Sequence, residues 1–562
     1  MFKSVKKTIG MLLACATALT LMSPVPTPAN ISAASDVTVN LSSEKQVIRG
    51  FGGMNHPTWI ADLTETQRNT AFGNGANQLG FSILRIHVDE NKSNWSKELA
   101  TAKSAVAQGA IVFASPWNPP SDMVETFTRN GVAGQKRLKY SKYAAYAQYL
   151  NDFVTYMKNN GVNLYAISIQ NEPDYAHTWT WWTPQEMLNF MKNYAGSINC
   201  KVIAPESFSY LKNMSDPILN DSQALANMDI LGAHFYGTSV SNMSYPLFQQ
   251  KGSGKDLWMT EVYVPNSDAN SADRWPEAID VAYNIHGAMD NGFQAYVWWY
   301  IRRQYGPMKE DGTISKRGYM MAHYSKFIRP GYVKVNATAN PNTNVYTSAY
   351  KGDNKAVIVA INKGTSAVSQ KFVLNGGTAS KITTYVTNSS QNLASGSINA
   401  SGTSFTAQLP AQSVTTFVIN LGTSATTTPT ATSTPNPGIG STVKLTDGWY
   451  YIKNVNAQKY LQVTDNTGKA GQNVEIGTGT GVAGQKWYLT NTSDGYITLT
   501  SALGNYMIDV ANASDTDGAN IQIYNGYSGN AQKFVIKSTT TNGVYTIGTK
   551  ASDSTKMLDA YN

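Results

Sequence analysis

Residues 166–175 read AISIQNEPDY. Four residues of strand-like alternation, Ala166 to Ile169, run straight into Gln170, Asn171 and Glu172, and Pro173 then stops the strand. A strand that buries its apolar residues and ends on an amide beside a carboxylate presents polar groups where a sheet meets solvent or a ligand. DLWMTEVYV, 256–264, repeats the pattern with Glu261.

The flanking chain says what kind of sheet this is. Between residues 49 and 331 short apolar runs alternate with helical patterns. The runs are VIRGFGG (47–53), SILRIHV (82–88), AIVFASPW (110–117), LYAISIQ (164–170), KVIAPES (201–207), DILGAHFYG (229–237), DLWMTEVY (256–263) and FQAYVWWY (293–300). Strands alternating with helices predict a parallel sheet, and eight is the number that closes a (β/α)8 barrel. Thr183-Pro184-Gln185-Glu186 opens one of the helices as a capping box with proline at its first position, so Glu186 reads as a cap.

In such a barrel the C-terminal strand ends form the active face. Glu172 closes the fourth run and Glu261 the seventh, so the two are expected to meet across the mouth. Two facing carboxylates are the apparatus of glycoside hydrolysis, one as proton donor and one as nucleophile or base. Their surroundings must then push their pKa values apart. Asn171 offers an amide to a sugar 2-hydroxyl. The same residues also read as strand-end caps or ion-pair partners.

Other polar residues at these ends have weaker claims. Asp89 and Glu90 after the second run and Glu206 in the fifth read as structural hydrogen-bond partners. His234 and Tyr236 end the sixth run; Tyr236 is placed to orient a nucleophile, and His234 stays open between that site and the core. Trp117 and Trp59 are candidate stacking surfaces for a sugar, or core. Past the eighth run come Trp299, Arg302, Arg303 and Tyr305. The arginines read as a solvated loop, as ion-pair partners of Glu310 or Asp311, or as an anion clamp gripping a carboxylate.

The rest of the chain reads as further domains, as 562 residues lead one to expect. Residues 1–34 carry Lys3, Lys6 and Lys7, an apolar run from Ile9 to Met22 and a small-residue site at Ser32-Ala33-Ala34. They are expected to be a secretory signal, with an extracellular mature chain starting near Ser35. The net charge of +8 then drops by those three lysines to about +5, far from a nucleic-acid-binding signature. Only Cys200 of the two cysteines remains, so no intramolecular disulfide is expected. Residues 332–421 change to β-branched alternation, a side β domain to which 35–48 is expected to add strands. Residues 422–442 are a Thr/Pro-rich linker. In 443–562, AGQNVEIGTGTGVAGQKWYL (470–489) repeats as DGANIQIYNGYSGNAQKFVI (517–536).

Asn-Glu-Pro after the fourth run and a glutamate after the seventh resemble the retaining glycosidase clan of (β/α)8 barrels. Together with SPWNPP, AHFYG, WMTEVYVPNS, VWWYIRRQYGPMKEDG and the side domain, residues 36–421 resemble the bacterial glucuronoxylanases of glycoside hydrolase family 30. That resemblance implies an endo-β-1,4-xylanase with Glu172 as acid/base, Glu261 as nucleophile and carboxyl groups roughly 5 to 5.5 Å apart. It also implies that Trp299, Arg303 and Tyr305, with Tyr263 and Ser267, recognise the methylglucuronic acid branch of xylan. The alternatives are a sibling glucosylceramidase or β-1,6-glucanase, with no evident use for the Arg303 cluster, and a non-catalytic wall-binding protein. The six histidines show no metal-ligand spacing and no phosphate loop is present, so no metal or cofactor is expected. A monomer acting on glucuronoxylan, without nucleic-acid or membrane partners, is the expectation.

The C-terminal repeats resemble the ricin-type β-trefoil. The resemblance implies a sugar site in the second repeat, at Asp509, Gln522, Tyr524 and Asn530. In the first repeat Gln462 and Gly477 stand at the aspartate and aromatic positions, so no stacking face is expected there. The third repeat begins at VYTIGTK and the sequence stops at MLDAYN, roughly 25 to 30 residues short of the period. An incomplete trefoil is therefore expected.

Overall fold

The computed structural model describes residues 35–422 except 401, and 442–559 except 456, 493, 516–517, 528, 540–543 and 553–555. The signal expected at 1–34 and most of the linker expected at 422–442 lie outside the described residues.

Eight parallel strands close on themselves. They are β1 (Gly50–Met54), β2 (Ile83–Val88), β3 (Ile111–Pro116), β4 (Ala166–Ser168), β5 (Lys201–Ser207), β6 (Ile230–His234), β7 (Asp256–Val262) and β8 (Ala295–Trp298). Each pairs with its sequence neighbours, and β8 returns to β1. The runs read as near-continuous apolar stretches because both faces of every strand are buried. Ile83, Phe113, Ala166, Ile203, Ile230, Trp258, Ala295 and Val297 fill the barrel's interior. The alternate residues, such as Leu84, Val112, Ile167, Leu231 and Met259, join the core under the helices. Among the described residues no helix is long and apolar enough to cross a membrane.

Two strands depart from regular pairing where they reach the active face. The β7 register shifts between Met259 and Glu261, and the β5 register between Pro205 and Ser207, where Glu206 takes φ +57°. Such irregularities re-aim a side chain. Glu206 is turned inward over Gly232, whose absent Cβ would lie 3.0 Å from the Glu206 Cγ.

The loop after β3 carries an antiparallel hairpin, Val124–Arg129 with Val132–Leu138, which the apolar runs do not foreshadow. Its residues are largely polar. Its turn is legible all the same: Asn130 and Gly131 sit at φ +51° and +80°, the paired positive angles of a type I′ turn.

The side domain is a nine-stranded sheet into which the strand Val37–Val47 inserts. That strand lies antiparallel to Val333–Ala337 and parallel to Val368–Asn375, so one sheet is built from both ends of the catalytic unit. Another strand of the sheet, Lys355–Asn362, divides its side chains by parity. Val357, Val359 and Ile361 join the barrel's core, whereas Ala356, Ile358 and Ala360 join the sheet's own.

Contacts divide the chain into two compact units, up to Ala425 and from Thr426 onward. In the second, Trp487 and Phe534 from the repeated Gln-x-aromatic signature enter one core. Each buried glutamine pins its loop: Gln485 Oε1 accepts from the Thr480 and Gly481 amides, and Gln532 Oε1 from the Tyr527 amide. The signature is structural.

Candidate active site

Glu172 follows β4 at φ +42°, a left-handed conformation that costs free energy for any residue but glycine and recurs at functional sites. Glu261 lies in β7 just past its register shift. Both are 5% exposed. One oxygen of each, with one His234 ring nitrogen, lies within 4.8 Å of the other two.

Their neighbours differ. Arg85, wholly buried in β2, donates through Nη1 to Glu261 Oε2, through Nη2 to Asn171 Oδ1 at 2.8 Å and Glu206 Oε1 at 3.3 Å, and through Nε to Ser115 Oγ at 3.1 Å. Tyr236 Oη donates to the other Glu261 oxygen at 2.8 Å. Among the described residues no arginine bonds to Glu172. His234 Nδ1 stands 3.0 Å from Glu172 Oε1, and its Nε2 stands 3.4 Å from Glu206 Oε1.

The titration behaviour follows from this wiring. Burial, with the charge of Glu261 adding to it, pushes the Glu172 carboxyl up to about 7 against the opposing bond from His234. For His234 burial works against the charge, but Glu261 and the bonds to Glu172 and Glu206 overcome it, lifting the imidazole to about 9. Glu206 is also opposed by burial, and Arg85 outweighs it, holding the carboxyl well below the usual range. At neutral pH Arg85 and His234 are thus cationic and Glu206 is anionic, while Glu172 stands near half-protonation.

The chain's alternation contained a signal for Arg85 that the search for carboxylates passed over. Ile83, Arg85 and His87 share one parity of β2, and the first belongs to the barrel interior. A charge at an inward position of an otherwise apolar strand needs partners inside the barrel.

The remaining candidates separate. Glu186 caps the helix Pro184–Asn193 as expected. Asp89 accepts from Thr58, Asn91 and Asn94, and Glu90 is exposed away from the pair. Trp117 is only 3% exposed, with the Arg85 guanidinium 5.0 Å from its ring centre. Trp59 is half-exposed and stacks on His56 at 4.1 Å, with its ring 6.2 Å from Trp299. Rings run on from Tyr236 to Tyr263 at 4.9 Å and from Tyr263 to Tyr305 at 5.3 Å. The side chains of Arg303 and Trp299 both approach the Tyr305 hydroxyl, and Ser267 is exposed in the loop after Tyr263. Arg302 is tied to Gln67 Oε1 and the Ala61 carbonyl. Arg303 Nη1 donates to Glu310 Oε1 at 3.1 Å, one of the partners expected for it.

In the C-terminal unit Asp509 pairs across the sheet with Gln522, and Met507 with Tyr524. By parity all four share one face, where Gln522 Nε2 donates to Asp509 Oδ1 at 3.0 Å. Tyr524 is exposed, as is Asn530 at the start of a short helical turn. Tyr527, absent from the expected set, donates its hydroxyl to Asp509 Oδ2 at 3.1 Å. The first repeat corrects an expectation: Tyr460 pairs across from Gly477, so a ring does stand there, on the opposite strand of the hairpin. Gln462 likewise faces Glu475, the acid and amide having exchanged strands. Matching the repeats by position missed this because it compares single strands rather than cross-strand pairs.

Comparison with known proteins agrees with both units. Over 422 residues, 75% of this chain and the whole of the relative, it is 73% identical to Glucuronoxylanase XynC of Bacillus subtilis (strain 168). A GH30 endoxylanase structure from Clostridium papyrosolvens C71 is 58% identical, covering 69% of this chain and 100% of its own, with a TM-score of 0.65. The glycoside hydrolase family 30 subfamily 8 xylanase Xyn30A from Clostridium acetobutylicum is 40% identical, covering 68% and 99%, with a TM-score of 0.62. Residues 441–524 and 504–562 match the family model described as ricin-type beta-trefoil lectin domain-like. A relative so similar over its full length, joined to this carboxylate pair at the mouth of this barrel, leaves one assignment: the chain belongs to the glucuronoxylanases of glycoside hydrolase family 30, with a ricin-type trefoil region at its C-terminal end.

Proposed function

We propose that this glycosidase cleaves the β-1,4-xylan backbone of glucuronoxylan internally, by double displacement, and that an acidic branch positions the cut. The observation that carries the proposal is the carboxylate pair, with oxygens within 4.8 Å and unlike environments. Retaining enzymes hold their carboxyls roughly 5–5.5 Å apart, whereas inverting ones need 6.5–9.5 Å to admit a water. Glu261, with Arg85 and Tyr236 fixing its two oxygens, attacks the anomeric carbon. Glu172 protonates the departing oxygen. Because His234 donates to Oε1 of Glu172, the acid proton sits on Oε2. Once Glu261 is esterified its charge is gone, a cause of the raised Glu172 pKa disappears, and Glu172 accepts a proton from the incoming water. Asn171, whose Oδ1 is engaged by Arg85, turns its Nδ2 donors to the 2-hydroxyl.

The branch-binding group in this reading is Arg303 with Tyr263, Ser267, Trp299 and Tyr305, and Trp59 and Trp117 wall the cleft. Charge-assisted contacts of this kind contribute about 1.5–3 kcal/mol. Arg303→Ala is therefore expected to lower the ratio of kcat/KM on glucuronoxylan to that on carboxyl-reduced xylan by roughly ten- to a hundredfold. Equal losses on both substrates would remove the branch from the proposal. Product masses test the whole: the wild type should release oligosaccharides that each carry one uronate, and equal cleavage of unbranched xylan would contradict it.

We also propose that the enzyme acts outside the cell, from the leader-like residues 1–34. N-terminal sequencing of protein recovered from culture medium should begin near Ser35. Accumulation of the uncleaved chain inside the cell would reject this.

A further inference from the structure

Glu310 stands against the charge logic of the branch site. If Arg303 is to take a uronate, a resident carboxylate on the same guanidinium looks like a competitor. The hydrogen bonds point the other way. Glu310 occupies a turn closed by Lys309 N to Thr313 O and Gly312 N to Lys309 O, both 2.9 Å, with Asp311 Oδ1 accepting from the Thr313 amide and hydroxyl. Lys309 is engaged by Asp273 at 2.9 Å. Glu310 Oε2 lies 3.5 Å from Arg302 Nε, and Arg302 is itself held by Gln67 and the Ala61 carbonyl. The carboxylate therefore lies beside an anchored guanidinium as well as beside Arg303, the first an ion-pair contact without a hydrogen bond.

It touches one corner only. Glu310 Oε1 takes Nη1 of Arg303, and Arg303 Nε is buried with no partner among the described residues. A guanidinium carries five N–H donors in a planar fork, and a carboxylate is gripped through two of them side by side. With Nη1 engaged, the edge left for a second carboxylate is Nε with Nη2. The guanidinium also approaches Tyr305, one of the rings of the proposed branch site. A buried N–H without an acceptor is unfavourable until one arrives.

Resting on the branch-recognition reading above, we infer that Glu310 is a positioning residue. It fixes the plane of Arg303 through Nη1 and so aims the Nε–Nη2 edge at the substrate's uronate. Glu310 touches no reacting atom.

The test is steady-state kinetics of Glu310→Ala, Glu310→Gln and Arg303→Ala on glucuronoxylan and on carboxyl-reduced xylan. Glu310→Ala frees the fork to rotate, so KM on glucuronoxylan should rise about five- to twentyfold with kcat within about twofold, and the branched-to-reduced ratio should fall accordingly. Glu310→Gln keeps an oxygen for Nη1 and should hold that ratio within about threefold of wild type. An unchanged ratio in Glu310→Ala overturns the inference. So does a rise in activity on glucuronoxylan, which would make Glu310 a competitor, or equal losses in the Ala and Gln variants. Arg303→Ala separates the two levels. If it depresses both substrates equally, branch recognition itself fails; if it is selective while Glu310→Ala is silent, only the role of Glu310 does.

Discussion

A carboxyl that keeps its proton near neutral pH needs burial that outweighs any cation beside it, and at Glu172 burial and the charge of Glu261 outweigh the bond from His234. Arg85 bonds to Glu261 and Glu206 and leaves Glu172 to a histidine. The sign for catalysis follows. The donor must hold its proton, so kcat/KM should fall as pH rises through about 7. In Glu172→Gln the alkaline limb should vanish along with most of the rate on xylan. Azide separates the roles when the substrate has an activated leaving group. It should rescue Glu172→Ala with retention, because a small anion needs no general base, whereas Glu261→Ala should yield the inverted glycosyl azide. Near-normal xylan hydrolysis by either Gln variant would refute the pair. The two glutamates were legible because each ends an apolar run. Arg85 was equally visible as an inward-parity charge, but its partners come from four other strands or their ends, and no local spacing records that.

At the scale of elements, parity explains both what the runs disclosed and what they hid. In Lys355–Asn362 both parities are apolar because one strand serves two cores. Ile358→Ala, on the sheet's side, and Ile361→Ala, on the barrel's, should each cost about 2–5 kcal/mol. Both should lower one shared calorimetric transition of residues 35–421, since Gln46 of Val37–Val47 also donates to the Met289 and Phe293 carbonyls beside the barrel. Two transitions, with each variant moving only one, would mean the cores unfold independently. Register shifts are a different matter. A strand read with strict alternation sends Glu261 to the face of Met259, under the helices. The irregularity between them brings it inward, and only pairing with β6 and β8 reveals it.

At the scale of the molecule, the catalytic relatives are matched over their whole length by three quarters of this chain. A chain ending at Gly422 should therefore retain activity on soluble glucuronoxylan within about twofold of the full chain. The trefoil region is expected to add retention on polysaccharide, with a sugar ring stacked on Tyr524 and Asp509 accepting its hydroxyls. In affinity electrophoresis on soluble xylan, run in a Glu261→Gln background, the full chain should migrate more slowly than the shortened one. Tyr524→Ala should remove the difference. A difference that survives Tyr524→Ala would move the site elsewhere, with the Tyr460 hairpin the first place to look. No difference on any polysaccharide would leave the region without this role.

The eight barrel strands, the side sheet, the repeat and both catalytic candidates were legible in the linear chain, because burial imposes a period on the residues that undergo it. The period of a strand is local and survives in one dimension. The electrostatic assignment of the two glutamates does not. It depends on Arg85 reaching Glu261 and Glu206 but not Glu172, on a left-handed turn at Glu172, and on register shifts in two strands. The contacts and the strand pairings join residues 26 to 176 positions apart, and a closed barrel is what brings them within hydrogen-bonding distance.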